Sequence, residues 1–311
     1  MNTGGTQLDE GMTQASAVGS GVHVLEWGKR RGGFWIVLAA ALLAGTMAYA
    51  QFGGRRGSRR GYDRGESSSS APSWRNPDAF KHDVFTFARI EYDSGGWGGH
   101  GGWATDYRDA DINLLFRLQQ LTSMKVNDDP EGRVLRLTDP DLYRYPFVYI
   151  VESGSLYLSD LEAKRLREHL LNGGFLMLDD FWGQAEWDNM ESQIKKAFPE
   201  RDFRDVPPDH PIFNGTFKLD RDKLQVPGIG SFSRYSPEVT WEPNHAGGNV
   251  QDVHFRALYD DKGRMIVLAC HNTDNGDGWE REGENEEYFH RFSEKKSYPL
   301  AVNIVLYMMS H

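Results

Sequence analysis

Cysteine occurs once in the 311 residues, at Cys270. A lone thiol excludes an internal disulfide framework and any cysteine-built structural zinc site. Basic residues are short as well, 35 lysines and arginines against 45 aspartates and glutamates, for a formal net charge of −10. The deficit is uneven. Residues 51–75 carry six arginines against Asp63 and Glu66, a net of +4, and residues 1–50 balance to zero, which leaves −14 on 76–311. A domain that acidic repels phosphate backbones, so nucleic acid is not expected as a partner. No internal repeat on the scale of a fold is present.

What the chain does have begins with an export pattern. Lys29-Arg30-Arg31 precede an apolar run over 34–49, which ends in Ala48-Tyr49-Ala50. A positive flank, an apolar core and a small-x-small site are the parts of a secretory signal. The run is short for a membrane span of roughly 20 residues. The expectation is a signal over 1–50 cleaved after Ala50. The alternative is an uncleaved anchor that tethers the chain to the inner membrane through 33–50. Both place the domain outside the cytoplasm, periplasmic or secreted. Residues 51–80, rich in Gly, Arg and Ser, read as a disordered linker. That leaves 81–311 as one domain, large enough to bury a core without staples.

Within it, strand and helix patterns alternate. The segment 84–92 (VFTFARIEY) predicts a first strand, 134–137 a short one, and 147–151 (FVYIV) a strand buried on both faces. The spacing of Ile112, Leu115 and Leu118 predicts a helix over 109–122. Ser159-Asp160-Leu161-Glu162 fits a capping box, and the helix it opens should end at Gly173-Gly174. Residues 175–178 predict the next buried strand, 186–198 a helix, 253–258 and 265–269 a hairpin, and 299–309 a buried helix. The stretch between 199 and 253 is irregular. Such alternation argues for an α/β fold with a largely parallel sheet covered on both sides.

In such sheets, ligands bind beyond the carboxyl ends of the strands. That rule selects Glu152, the adjacent Asp179 and Asp180, Trp182, and the run His271 to Trp279 with Asp274 and Asp277. It also selects the Gly/Trp loop 93–103 with Trp97. Gly96, Gly98 and Gly101 formally match a dinucleotide motif, but the required helix and acid are misplaced, so no cofactor is assigned. Asp274 to Gly278 lacks the alternating ligands of a calcium loop, reads as an Asx/Gly turn, and no metal is assigned. His210, in Asp209-His210-Pro211, is either a ligand or a turn hydrogen bond. Cys270 reads as buried and inert. The tryptophans either stack on a sugar or pack on the rim. Paired acids at a strand end suit acid–base work or metal binding. The structural alternative has Asp180 capping backbone N–H groups while Asp179 alone faces the cleft.

The order of these pieces resembles the class I glutamine amidotransferase-like, flavodoxin-like fold, a three-layer sandwich here with an irregular insertion and a C-terminal hairpin and helix. Asp179 stands at the position of that family's nucleophilic cysteine, and His271 at its histidine. The flanking glycines of the elbow and the proline and glutamate after the histidine are absent. More closely, 84–311 resembles the bacterial domain-of-unknown-function 4159 family. Phe87-Ala88-Arg89-Ile90, Tyr145-Pro146-Phe147, Gly173 to Asp180, Asp209 to Phe213 and Gly276 to Glu280 carry that resemblance. It implies the amidotransferase-like fold and an exported or membrane-associated setting. A carboxylate cannot form the thioester of glutamine hydrolysis. The expected function is therefore a non-catalytic binding module for a polar small molecule, a carbohydrate or an envelope protein. The alternative is a hydrolase, metal-assisted or not, built on Asp179 and His271 with Asp277.

Overall fold

The computed structural model describes residues 71–80, 83–94, 102–129, 132–245 and 248–311. The expected leader, the 51–70 part of the linker and Trp97 lie outside the described residues. Among the described residues, no helix is long and apolar enough to cross a membrane.

The described residues form nine strands: β1 (Ala88–Ile90), β2 (Asp93–Ser94), β3 (Arg133–Leu135), β4 (Phe147–Ile150), β5 (Leu156–Tyr157), β6 (Phe175–Leu178), β7 (Arg204–Asp205), β8 (His254–Tyr259) and β9 (Met265–His271). Seven of them form one sheet in the order β3-β1-β4-β6-β9-β8-β7, and β2 pairs with β5 apart from it. The first five are mutually parallel. The β8–β9 hairpin is antiparallel and carries β7 at its outer edge. From β1 the chain steps outward to β3, then returns to the other side of β1 for β4. That reversal is the switch point at which open sheets form their crevice.

The continuous apolar runs follow from burial on both faces. Phe147 and Tyr149 of β4 enter a core shared with α1 (Asp109–Leu121) and α5 (Tyr298–Ser310). Val148 and Ile150 enter the opposite core, under α2 (Asp160–Leu171) and α3 (Gly183–Ala197). Each such side chain, fully buried, contributes about 1.5–3 kcal/mol. α2 opens on the expected capping box: Glu162 N donates to Ser159 Oγ, and Ser159 N donates to Glu162 Oε2 at 2.9 Å.

Departures from the sequence expectation are local. β1 is shorter than 84–92, because Phe85 leaves the main sheet to bridge Val126. α3 starts three residues early, since the N–H groups at its start find one distant and one local acceptor. Gly183 N donates to Asn272 Oδ1, and Trp182 N to Glu186 Oε2. The DNGDG stretch is not a bare turn. It forms the short helix α4 (Asn275–Glu280), with Asp274 accepting from Asp277 N at 2.7 Å.

Candidate functional site

At the carboxyl ends of β1, β4, β6 and β9, where the switch point sets the cleft, acidic side chains gather and are almost wholly buried. Of the paired acids after β6, Asp179 points down into the molecule and is fully buried. Its Oδ2 accepts from Tyr149 Oη at 3.0 Å and from the backbone N–H groups of Asn275 and Gly276, both at 3.1 Å; Oδ1 accepts from Asn275 Nδ2 at 2.8 Å. Asp179 therefore caps α4 from the neighbouring strand. The sequence-level alternative had the two roles the other way round. Asp180 is the residue that faces the cleft, with φ +50 lifting its side chain off the sheet edge. Trp182 Nε1 donates to its Oδ1 at 2.9 Å.

Asp106 reaches the same place from the loop before α1. The anchor of that loop is Arg89 of β1, which is wholly buried. Its guanidinium pairs with Asp111 at 2.5 Å and donates to the carbonyls of Trp103 at 3.1 Å and Thr105 at 2.7 Å. Asp106, next in the chain, has φ +60 and lies against the first turn of α4. Position 276 must be glycine for this, since a Cβ there would collide with Asp106 Oδ2. Gly228 closes the other wall. A Cβ on it would stand 2.6 Å from Glu242 Oε1, 3.1 Å from Asp277 Oδ2 and 3.2 Å from Asp274 Oδ2.

Burial, and then the neighbouring acids, push Asp106, Asp180 and Asp274 well above the ordinary carboxylate range. Glu152, after β4, is raised to about 8 by burial and by Glu186. Glu280 is raised to about 7 by burial, against the pull of Arg281. His245 is held between Glu186 Oε1 at 2.8 Å and Glu242 Oε2 at 3.1 Å. Carboxylates only accept here, so both ring nitrogens donate and the ring is an imidazolium. Burial opposes that charge, but the two hydrogen bonds outweigh it and raise the ring to about 10.

These shifts set a pH dependence. Glu152 and Glu280 hold protons in the folded state that the unfolded chain has released, and their contribution is lost as pH rises through about 8 and 7. The stability from His245 is complete below its unfolded value of 6.5 and is lost on the way to about 10. The buried, neutral His169 and His271, both lowered to about 4, act in the opposite sense only below 6.5. Lys296, lowered to about 8, does so only above that value. Between pH 6.5 and 8, in chelator, unfolding free energy should therefore fall, by roughly 1 kcal/mol or more for each of Glu152, Glu280 and His245, with Asp106, Asp180 and Asp274 acting in the same sense. Urea midpoints at the two pH values check this, and Glu152→Gln should flatten the slope.

Other residues selected from the sequence sit elsewhere. His271 does not meet Asp179. Leu178 pairs with Ala269, so Cys270 lies beside Asp179 on one face of the sheet and His271 turns to the other. There it stacks on Phe181 at 5.0 Å and meets a tilted Trp187 ring at 5.3 Å. Its Nε2 donates to the Gly183 carbonyl at 3.0 Å. Trp279 is a core residue between Phe87 and Tyr149, with no exposed surface for a sugar. His210 caps the short helix Pro211–Asn214 by accepting from Ile212 N, and its ring packs on Tyr307. Cys270 is fully buried, and burial raises its thiol well above the usual range. Asp274 and Asp277 do line the cleft, and Glu152 and Trp182 border it.

Asp106, Glu186, Glu242, His245 and Arg281 were not selected from the sequence. Asp106 had a signal, because the loop after the first strand obeys the strand-end rule and continues past Trp103. Glu186 sits on a helix, and Glu242 and His245 lie in the irregular region, where no local pattern marks them.

The model of a protein family described as Domain of unknown function (DUF4159) matches residues 86–309. No curated protein matches the chain.

Proposed function

The chain belongs to the DUF4159 family, and from that premise and the geometry of the cleft we propose that it is a non-catalytic binding module of the cell envelope. In this reading the domain is exported, or tethered through 33–50, and its scaffold is the class I glutamine amidotransferase-like fold. The parallel order β3-β1-β4-β6-β9 supports that fold, as does the strand–turn–helix at Asp180. The ligand is polar and either cationic or rich in hydroxyls, such as an amino sugar, an oligosaccharide or a basic segment of an envelope protein.

One observation carries the reading. Asp106, Asp180, Asp274 and Asp277 converge at the carboxyl edge, while the groups a hydrolase would need are withdrawn. The thiol is buried, Asp179 is saturated by four donors, and His271 is on the far face of the sheet.

The test is the melting temperature of the full chain in EDTA against amino sugars, oligosaccharides, cell-wall fragments and polyamines. A ligand that binds only the folded state raises it. The expected result is an upward shift that Asp180→Asn abolishes. Turnover of a glycan or ester that disappears in Asp180→Asn would sink the non-catalytic reading.

A further inference from the structure

Two overlapping carboxylate triads share Asp106, and only one of them has a cation of its own. Asp277 and Glu280 are served by Arg281, whose Nε lies 2.5 Å from Glu280 Oε2 and 3.3 Å from Asp277 Oδ1. The other triad, Asp106, Asp180 and Asp274, is buried throughout and is paired with no basic side chain among the described residues. We propose that this second triad binds one hard divalent cation, calcium or magnesium. The inference rests on the binding-module reading and names what enters the cleft.

The geometry suits such an ion. One oxygen from each aspartate lies within 4.8 Å of the other two. Three oxygens so placed converge on a common centre at about the 2.3–2.6 Å of a calcium–oxygen bond, with small side-chain adjustments. Each ligand comes from a different part of the scaffold: the loop before α1, the end of β6 and the turn after β9. Separate anchors hold them. Arg89 fixes the carbonyls next to Asp106, Trp182 Nε1 donates to Asp180, and Asp277 N donates to Asp274.

A second observation is independent of the acid count. Asp106 Oδ2 is buried and has no hydrogen-bond partner, on a residue only 8% exposed. Buried polar oxygens are nearly always satisfied, so an orphan one asks for a partner that is not protein. The nearby basic groups are committed elsewhere: Arg89 to Asp111, Arg281 to Asp277 and Glu280, and His245 to Glu186 and Glu242. An all-oxygen, all-anionic set selects calcium, magnesium or manganese over zinc or copper, which prefer nitrogen or sulfur.

The experiment is calorimetric titration of the full chain, stripped with EDTA and dialysed, with calcium chloride and with magnesium chloride. One-to-one binding by at least one of them is expected. Asp106→Asn and Asp274→Asn should each weaken it roughly tenfold or more, since affinity follows the number of charged ligands. The exposed Asp209→Asn should bind as the parent does. The melting temperatures supply a sign that mere misfolding would not produce. Without cation, Asp106→Asn should melt at or above the parent, because a neutral amide replaces a carboxyl whose charged form burial and the neighbouring acids disfavour. At saturating cation the parent should melt higher. Absence of saturable binding of either ion, unchanged affinity in both aspartate variants, or a preference for zinc would each overturn the proposal. In those cases an organic ligand that still raises the melting temperature, and loses its effect in Asp180→Asn, would leave the binding-module reading standing.

Discussion

Arg89→Met is expected to lower the unfolding free energy by about 3–5 kcal/mol, the usual cost of breaking a buried ion pair from one side. The loss would come from several directions. Asp111, with no exposed surface, would be left as an uncompensated carboxylate. The carbonyls of Trp103 and Thr105 would lose their donors, and the faces of Tyr149 and Tyr107 their overlying guanidinium. Urea denaturation checks the size. The double variant Arg89→Met with Asp111→Leu separates the causes, because removing both charges should restore most of the stability. What it should not restore is the cleft, since Asp106 would still lack its anchor. Recovery of stability together with full ligand binding would show that Arg89 does not position the loop.

Asp179→Ala should be comparably damaging, on the order of 3–5 kcal/mol. It would strand the Tyr149 hydroxyl, the Asn275 amide and the first N–H groups of α4 in a place water does not reach. Asp179→Asn is the milder probe. It keeps one acceptor oxygen but turns an NH2 into a nest of donors, where only the Tyr149 hydroxyl or a flipped Asn275 amide can accept from it. Its burial and its four donors pull in opposite senses and leave Asp179 at about 6, so the carboxylate is ionised at neutral pH. Near-ultraviolet circular dichroism, to which buried Trp279 and Tyr149 beside the capped helix contribute, should report the loosening. A variant with parent-like stability and spectra would contradict the structural role assigned to this residue.

The roles of these two acids illustrate what the sequence could and could not reveal. β4 and β6 were legible because strands buried on both faces need unbroken apolar runs, and α2 because its cap is written in four adjacent residues. The strand-end rule likewise brought out Asp179, Asp180, Asp274 and Asp277. It could not say which of the pair faced outward, because that depends on α4. α4 is a short helix whose cap comes from Asp179, some 96 residues away. The same blindness to distance hid Asp106 and the Glu186–His245–Glu242 bridge. It also suggested a dyad of Asp179 and His271, which strand alternation forbids once Leu178 is paired with Ala269. The alternating strand and helix patterns conveyed the α/β architecture, and the chemistry of the cleft was left to be read from side chains.

The borders of the sheet carry a further consequence. Its two outermost strands are β3, with three residues, and β7, with two. Each is too short to template another strand, and each carries an arginine, Arg133 and Arg204. Short, charged edges are how soluble sheets avoid sticking to one another in a crowded compartment. They also restrict how a partner can be recognised. Extension of the sheet by an added peptide strand needs a longer free backbone ladder than either border offers. Along the described borders of this sheet, loops and side chains are the surfaces left for recognition.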